Sequence, residues 1–256
     1  MMKSAEISSV AIIGSGKVAN ALASILIDKN VQISGIASRN IQSGKKLSNK
    51  CTCAFFENQT ELVADLILVC IHDDAVKSTI EGLNPNQQVA YTAGSVNLQE
   101  INHPNCSVFY ALQTFTSDKK LTSDEIPILI ESKNKESISA LENLCLKIGF
   151  SYQLCDSDQR KQYHLAAVFL NNFVNHLVYL SKKQLTEEGL NWEIMQPLLK
   201  ETCYKLFNID LYEGQTGPAR RKDLGVIETQ KKMLDQNQLE IYKAITKSII
   251  ETYKND

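Results

Sequence analysis

The sequence predicts an α/β fold in which a doubly wound parallel sheet is followed by an all-helical C-terminal domain. Strand-like and helix-like segments alternate through the first 155 residues, and from residue 156 onwards the apolar periodicity is mainly helical. The chain has 256 residues, 43% hydrophobic and 22% charged, which is typical of a globular protein. We therefore expect two domains, residues 1–155 and residues 156–256.

Short apolar runs in the first half are predicted as strands, and the amphipathic segments between them as helices. Leu66–His72 is apolar throughout, as expected of a central parallel strand. The other predicted strands are Val10–Gly14, Val31–Ser38, Cys53–Phe56, Gln87–Gly94, Cys106–Leu112, Ile126–Ser132 and Phe150–Cys155. The predicted helices are Lys17–Asn30, Gln42–Lys50, Asp74–Leu83 and Asn134–Gly149.

The second half changes character near Cys155. Asp156, Ser157 or Asp158 is a suitable N-cap, and helical periodicity then continues to Glu188. Two further segments, Glu193–Leu206 and Gly225–Tyr253, have the same periodicity. A Gly-Pro turn lies between them.

Composition excludes several classes of function. The net charge of −2 shows no basic excess of the kind that nucleic-acid binding needs. No apolar run approaches the roughly 18 residues of a membrane span, and the N-terminal stretch leads directly into a predicted strand. Seven irregularly spaced cysteines indicate reduced thiols, so we expect a cytoplasmic protein. No metal is expected, because Cys51 and Cys53 have no second pair at zinc-ligand spacing.

The loop after the first predicted strand reads Gly14-x-Gly16-x-x-Ala19. The first glycine permits a tight turn, the second lets a pyrophosphate approach the backbone, and the alanine lets the helix pack closely on the sheet. The free N–H groups of the following helix would face the anion. We therefore predict a dinucleotide site formed by Gly14, Ser15, Gly16, Lys17 and Val18; the alternative is a purely structural turn.

The end of the second predicted strand indicates which dinucleotide is bound. NAD sites usually carry an acidic residue there, whereas this strand ends in Ser38, Arg39 and Asn40. An acid would repel a 2′-phosphate, while serine and arginine can hold one. The sequence therefore predicts NADP(H), with Ser38 and Arg39 at the phosphate; the alternative for Arg39 is an ordinary exposed arginine.

Several longer motifs occur in a characteristic order: "GSGKVA", "VCIHDDAV", "YTAGSV", "FYALQTF", "YHLAAVFLNNFVNH" and "QTGPARRKD". Together they resemble Rossmann-like proteins that carry the C-terminal domain of unknown function 2520. This family is similar to coenzyme F420-dependent NADP oxidoreductases, pyrroline-5-carboxylate reductases and β-hydroxyacid dehydrogenases. One departure is Ala111, where the family usually has proline.

The resemblance implies a fold like that of 6-phosphogluconate dehydrogenase, with NADP bound beyond the carboxyl ends of the strands. It implies cofactor contacts from Ile71, His72, Thr92 and Gly94, and places Gln113 at the end of the next strand, near the reaction. For His72 and its neighbour Asp73, turn formation and helix capping are the alternative reading.

In the related dehydrogenases the first helix of the second domain supplies the proton donor. If that helix is regular, His164, Val168, Asn172 and Asn175 fall on nearly the same face. His164 is the candidate general acid and Asn172 a candidate for orienting substrate; a packed, hydrogen-bonded histidine is the alternative. The lysine that β-hydroxyacid dehydrogenases carry one turn before an asparagine is absent here, which argues against their mechanism.

The turn "QTGPARRKD" is the second candidate for chemistry. Arg221 is suited to bidentate binding of a substrate carboxylate. The alternative is an interhelix turn in which Asp223 caps the last helix and pairs with an arginine.

These observations favour an NADP(H)-dependent oxidoreductase that transfers hydride to or from a small carbonyl or imine compound. A non-catalytic NADP(H)-binding regulatory or scaffold protein is the alternative, and a deazaflavin-linked or a non-redox activity is also open. The partly apolar helices of the second half suggest a homodimer, as in the similar reductases.

Overall fold

The structure is a computed structural model and describes residues 6–116, 119 and 121–255. Residues 1–5, in the N-terminal stretch predicted to lead directly into a strand, lie outside the described residues. Contacts divide the chain into two compact units, residues 1–172 and 173–256.

One eight-stranded sheet organises the first unit. Its strands are β1 (Ser9–Ile13), β2 (Gln32–Ala37), β3 (Ala54–Phe56), β4 (Leu66–Val69), β5 (Val89–Tyr91), β6 (Cys106–Ala111), β7 (Ile128–Ser132) and β8 (Tyr152–Leu154). The strand order is β3-β2-β1-β4-β5-β6-β7-β8. Every residue of the central strand β4 is buried, as its apolar run predicts.

The sheet is mostly parallel, as predicted, and the pairing of β6 with β7 is where it departs from the parallel arrangement. The strands from β1 to β6 run parallel, but β7 pairs antiparallel with β6, from Ala111 opposite Ile128 to Ser107 opposite Ser132. Among the described residues of the β6–β7 connection, the only helical segment is the short 3-10 turn Ser123–Glu125. An antiparallel return needs no crossover helix, and strand periodicity does not report direction.

Helices cover both faces of the sheet. In this unit they are α1 (Lys17–Asp28), α2 (Ile41–Cys51), α3 (Asp73–Glu81), α4 (Lys135–Ile148) and α5 (Ser157–Ala167). Apolar residues of α1, α2 and α4, such as Leu22, Leu47 and Leu141, form one core with the sheet. Val76 and Ile80 of α3 form a second core on the other face. The doubly wound arrangement is thus confirmed.

The predicted continuous helix from Asp156 to Glu188 is interrupted. Asp156 caps α5 as predicted, accepting from Gln159 N at 2.8 Å, but Val168–Phe173 is π-helical. A π turn takes more residues than the 3.6 of an α-helix. The predicted common face of His164, Val168 and Asn172 assumes regular α-helical spacing, which this segment does not have, so that common face stays a prediction.

The division at residues 172 and 173 differs from the predicted domain boundary at 155 and 156. The sheet ends close to the predicted boundary, at Leu154, but α5 and part of the π-helical segment belong to the first compact unit. The predicted domain boundary therefore marks the end of the sheet.

The second unit is helical, with α6 (Val174–Glu187), α7 (Gln196–Asn208), α8 (Leu224–Lys231) and α9 (Gln236–Thr252). The single pattern predicted for Gly225–Tyr253 is split, because Asp235 caps a new helix in a capping box with Gln238. Only four described residues of this unit are buried: Ala219, Ile227, Gln238 and Tyr253. None of the helices in the described part of the chain is long and apolar enough to span a bilayer.

Candidate functional site

Gly14 ends β1 in a conformation that only glycine adopts readily. Its φ is +120°, and a Cβ there would lie 2.1 Å from the Cys70 carbonyl oxygen. Its N–H donates to the Ala37 carbonyl at 2.8 Å, which ties the loop to β2. The predicted tight turn is present, and its cause is the close approach of the Cys70 backbone.

Gly16 has a different reason to be glycine. It is the N-cap of α1 and makes no side-chain cap bond, and a Cβ would meet no protein atom within 4 Å. The Asn20 amide donates to the carbonyl oxygens of Ser15 at 2.9 Å and Gly16 at 3.0 Å, which fixes the loop on the helix. The first-turn N–H groups of α1 therefore face open space, which fits a pyrophosphate.

Three serine hydroxyls meet beside this loop. Ser15 Oγ lies 2.8 Å from Ser38 Oγ and 2.6 Å from Ser43 Oγ, and Ser38 Oγ also accepts from the Asn40 N–H at 3.3 Å. Arg39 is exposed next to them. Ser43, in the first turn of α2, could not be predicted from the sequence, because its approach to Ser15 depends on how α2 docks against α1.

The next strand ends continue the same edge of the sheet. Ile71 is half-buried, and His72 is exposed as the N-cap of α3, the position that helix capping by His72 would require. Asp73 instead accepts a short hydrogen bond from the Ser95 hydroxyl, which joins the loops after β4 and β5. Thr92 N donates to the Val69 carbonyl at 3.1 Å and keeps these two strand ends in register.

His164 and Tyr110 form a hydrogen-bonded pair. The Tyr110 hydroxyl lies 3.0 Å from Nδ1 of His164, and the ring centroids are 5.9 Å apart. Gly94 is buried beneath both rings, and a Cβ there would come within 2.8 Å of either one. Gly94 therefore allows α5 to approach β6, and its predicted cofactor contact stays a prediction.

The pKa of Tyr110 is raised, first by burial and then by the negative charge of Asp73. The phenol therefore keeps its proton at neutral pH. Tyr110 was missed by the sequence analysis, although it lies inside the "FYALQTF" motif, because its partner is 54 residues away along the chain.

Arg160, one helical turn before His164, is fully buried and holds α5 to the sheet. Its guanidinium forms a short ion pair with Glu131 of β7. It also donates to the Gly94 carbonyl at 3.3 Å and, through a short bond, to that of Val96. Because Arg160 fixes both the β5 loop and α5, it sets the position of the Tyr110–His164 pair.

Gln113 and Asn172 make no hydrogen bond to this pair among the described residues, and the third predicted catalytic residue, Arg221, belongs to the second unit. The Gln113 amide donates to the Glu125 carbonyl at 2.8 Å and braces its own loop. Asn172 is exposed in the π-helical segment. Arg221 is exposed in the second unit, where Asp223 caps α8 by accepting from Val226 N at 3.2 Å. Their catalytic roles stay predictions.

Two family models match the chain. The NADP oxidoreductase coenzyme F420-dependent model matches residues 9–91, and the model of domain of unknown function DUF2520 matches residues 126–249. The first covers the glycine loop and the strand ends that follow it. The second covers β7, β8 and most of the helices after the sheet. A comparison with curated proteins gave no match.

Solved structures agree over the whole length. A Bacteroides fragilis protein, named as a "putative NADP oxidoreductase", is 31% identical, with 96% of this chain and 98% of that chain covered and a TM-score of 0.86. A Thermotoga maritima protein is 22% identical, with 96% and 98% covered and a TM-score of 0.72.

A more distant structure has the same fold. It is a reductive aminase from Aspergillus terreus in complex with NADPH and ethyl levulinate, 12% identical, with 96% of this chain and 94% of that chain covered and a TM-score of 0.72. The present fold is thus that of NADP-binding oxidoreductases. The chain belongs to the family that joins an NADP-binding domain of the coenzyme F420-dependent oxidoreductase type to a C-terminal DUF2520 domain.

Proposed function

We propose that the protein is an NADP(H)-dependent oxidoreductase that transfers hydride to or from a small carbonyl or imine substrate. One observation carries the proposal: the Tyr110–His164 pair lies at the same edge of the sheet as the glycine loop. In the strand order, β1 and β6 are three places apart, roughly 14–15 Å. A dinucleotide laid along this edge would have its phosphates at Gly16 and its reactive end near His164.

The cluster of Ser15, Ser38 and Ser43 supports NADP(H) over NAD(H). Its three hydroxyls provide donors for phosphate oxygens, and the exposed guanidinium of Arg39 stands beside them. The acidic residue that would bind a free ribose hydroxyl is absent from the end of β2. A 2′-phosphate therefore has favourable contacts here and no carboxylate at this strand end to repel it.

When bound, NADPH supplies the hydride, which adds to the carbon of the C=O or C=N bond. The oxygen or nitrogen of that bond then needs a proton, and His164 is the proposed donor. In the proton-donating form both ring nitrogens carry a proton: Nδ1–H donates to the Tyr110 hydroxyl oxygen, and the Nε2 proton passes to the substrate, which leaves a neutral ring. Tyr110 thus orients the ring so that Nε2 is the nitrogen that donates to the substrate.

The substrate class is supported by relatives of known activity. The reductive aminase from Aspergillus terreus and an imine reductase from Pseudomonas, 12% and 14% identical, share the fold. Both are named for chemistry on carbonyl or imine compounds. In our proposal Arg221 binds a substrate carboxylate and Asn172 orients the reacting oxygen or nitrogen.

We also propose that the protein acts as a homodimer. The helices α6 and α7 contain no buried residue, while Tyr204, Phe207 and Leu211 of the second unit are more than half exposed. A helical unit with so little core is stable when another surface covers its apolar side chains. A second copy offers the same surface, and two-fold dimers are the commonest oligomers.

The test is a substrate screen monitored by the absorbance of reduced nicotinamide. Purified protein with NADPH is offered keto acids, ketones with ammonia or an amine, and cyclic imines. We expect substrate-dependent oxidation of NADPH, and His164→Ala should lower kcat by roughly 10²–10⁴-fold with unchanged NADPH affinity. Tyr163→Phe, which alters the exposed neighbour of His164, is the matched control and should retain activity.

Other outcomes select other functions. Tight NADPH binding without turnover on the whole panel would favour a regulatory or scaffold protein. Hydride transfer to a deazaflavin, with no other compound of the panel reduced, would identify a deazaflavin-linked enzyme. The coenzyme F420-dependent family model covers only the NADP-binding part of the chain, so the match does not decide this point. Full activity of His164→Ala would remove His164 as the proton donor.

A further inference from the structure

A groove of about 650 Å³ runs beside α1 on the side that faces α2. It opens at Ser15 and Gly16 and continues along α1 as far as Ile25. Lys46 and Lys50 of α2 form its other wall. Nine residues of α-helix span about 13 Å, so the groove extends roughly two helical turns beyond the glycine loop.

The groove is strongly cationic. Its described lining includes four lysines, Lys17, Lys46, Lys50 and Lys119, and no aspartate or glutamate. Lys119 is already paired with Glu125 at 3.0 Å. No ion pair to a described carboxylate is found for the other three. Lys17, Lys46 and Lys50 are exposed along an open groove, and none of the carboxylates in the described part of the chain forms an ion pair with them.

The side chain of Lys50 extends from α2 to α1. Its ammonium donates to the hydroxyl of Ser24 on α1 at 2.5 Å, so the side chain bridges the two walls. Serine is neutral and leaves the positive charge of Lys50 unbalanced. Ser24, Ser43 and Thr116 add hydroxyl groups along the groove; Ser24 donates to the Asn20 carbonyl at 3.0 Å and Ser43 to the Asn40 carbonyl at 3.2 Å. Ammonium and hydroxyl groups together are suited to phosphoryl oxygens.

The proposed NADP(H) site accounts only for the mouth of the groove. Ser15, Gly16 and Ser43 belong to the phosphate contacts described above, whereas Ser24, Lys46 and Lys50 lie beyond them. We propose that this inner part binds a second ligand, a small molecule that bears several phosphoryl groups. The volume of about 650 Å³, which includes the mouth, falls within the roughly 300–1,000 Å³ of small-molecule sites. The net charge of −2 is unfavourable for a nucleic acid.

Isothermal titration with tripolyphosphate tests this site, first on protein saturated with NADPH and then on protein without it. We expect binding in both cases. Lys46→Ala/Lys50→Ala should weaken it at least about tenfold, since hydrogen bonds to charged groups contribute a tenfold factor or more. Lys29→Ala/Lys45→Ala removes the same net charge from residues outside the groove, and tripolyphosphate affinity should be unchanged.

Three results would overturn the proposal: no binding by wild type, binding that NADPH abolishes, or binding that the Lys46/Lys50 variant retains. The second would mean that tripolyphosphate occupies only the cofactor's phosphate site. The proposal is independent of the proposed enzyme activity, which has its own readout in NADPH binding and turnover. If NADPH fails to bind at all, the titrations without it still compare the two double variants.

Discussion

Arg39 is the residue whose substitution most directly tests the preferred dinucleotide. It is exposed beside the serine cluster, and no carboxylate follows it before Glu57. We expect Arg39→Ala to weaken NADPH binding roughly ten- to hundredfold, because a charged hydrogen bond to the 2′-phosphate is lost. NADH affinity should stay the same, since NADH lacks that phosphate. Fluorescence titration of both dinucleotides measures the difference.

The control for this substitution is Lys45→Ala, which removes a nearby cation whose ammonium lies over the Phe55 ring. It should leave both affinities unchanged. If wild type binds NADPH and NADH equally well, the serine cluster does not select for the phosphate, and our interpretation of the end of β2 is wrong.

For single residues, the sequence indicates where a special backbone conformation is required, but not which side chains contact each other. Gly14 could be assigned its turn because the required conformation is local, and that prediction is confirmed by its positive φ. Ser43 and Tyr110 were missed because each acquires its partner only when α2 or α5 docks. His164 was singled out for its chemistry, and its contact with Tyr110 could not be read from spacing.

Among the secondary-structure elements, α5 depends on one buried ion pair. Arg160→Met would leave the Glu131 carboxylate, which is 10% exposed, without its counter-charge. We expect the free energy of unfolding to fall by roughly 3–5 kcal/mol. The double variant Arg160→Met/Glu131→Leu should recover much of this loss, because it removes both charges. Urea denaturation of wild type, the single variants Arg160→Met and Glu131→Leu, and the double variant completes the double-mutant cycle. An equal loss of unfolding free energy in Arg160→Met and in the double variant would contradict the proposed pairing.

The start of β1 is anchored by a carboxylate. One oxygen of Asp65 accepts from the N–H and hydroxyl groups of both Ser8 and Ser9, at 2.6–3.0 Å. These bonds, led by that from the Ser8 hydroxyl, lower the pKa of Asp65 from 3.8 to about 2. A carboxyl whose pKa is lower in the folded than in the unfolded state stabilises the folded state at pH values above the unfolded-state pKa. This stabilisation is lost as the pH falls from about 4 to about 2.

We therefore expect Asp65→Asn to destabilise the protein at about pH 7 by a few tenths to about 1 kcal/mol, the range of exposed ionic contacts. The difference from wild type should shrink as the pH falls below about 4, because the carboxyl of the unfolded state then binds a proton while that of the folded state still carries its charge. Urea midpoints at several pH values measure it. Glu57→Gln, a substitution at another exposed carboxylate of the same unit, serves as the control. A difference that does not vary with pH would show that the charge of Asp65 is not responsible.

Element types were predictable from sequence, but direction and helical register were not. The strand-like segment at Ile128–Ser132 was recognised, yet its antiparallel pairing depends on the loop that precedes it. The helical region after Asp156 was recognised, but the π-helical segment Val168–Phe173 leaves no mark in apolar periodicity, because its side chains are largely exposed. Local sequence patterns indicate which residues are buried. The direction of β7 and the π-helical segment instead depend on the connecting loop and on how the helix packs.

For the whole molecule, the sparse core of the helical unit makes oligomeric state the decisive property. Phe207 on α7 is 89% exposed in the single chain. If a second copy covers this surface, Phe207→Glu should convert a dimer into a monomer, because a buried unpaired charge is strongly unfavourable. Light scattering at micromolar concentration gives the mass directly.

The matched control is Val63→Glu, at a 79% exposed apolar residue of the first unit. It should leave the mass unchanged. Wild-type protein that scatters as a monomer would remove the homodimer proposal, and the apolar helices would then need a different partner.

The antiparallel strand β7 has one further consequence. Because β7 starts beside the end of β6, the chain leaves and re-enters the sheet at the same edge, the one that carries the glycine loop. In a parallel arrangement the connection between β6 and β7 would have to cross to the opposite edge of the sheet. Here the connection stays at one edge and contributes Thr116 and Leu121 to the groove beside α1. The length of this connection can therefore change while the sheet keeps its strand order. If the groove binds phosphoryl groups as proposed, a change in the length of this connection would alter the groove and leave the strand order unchanged.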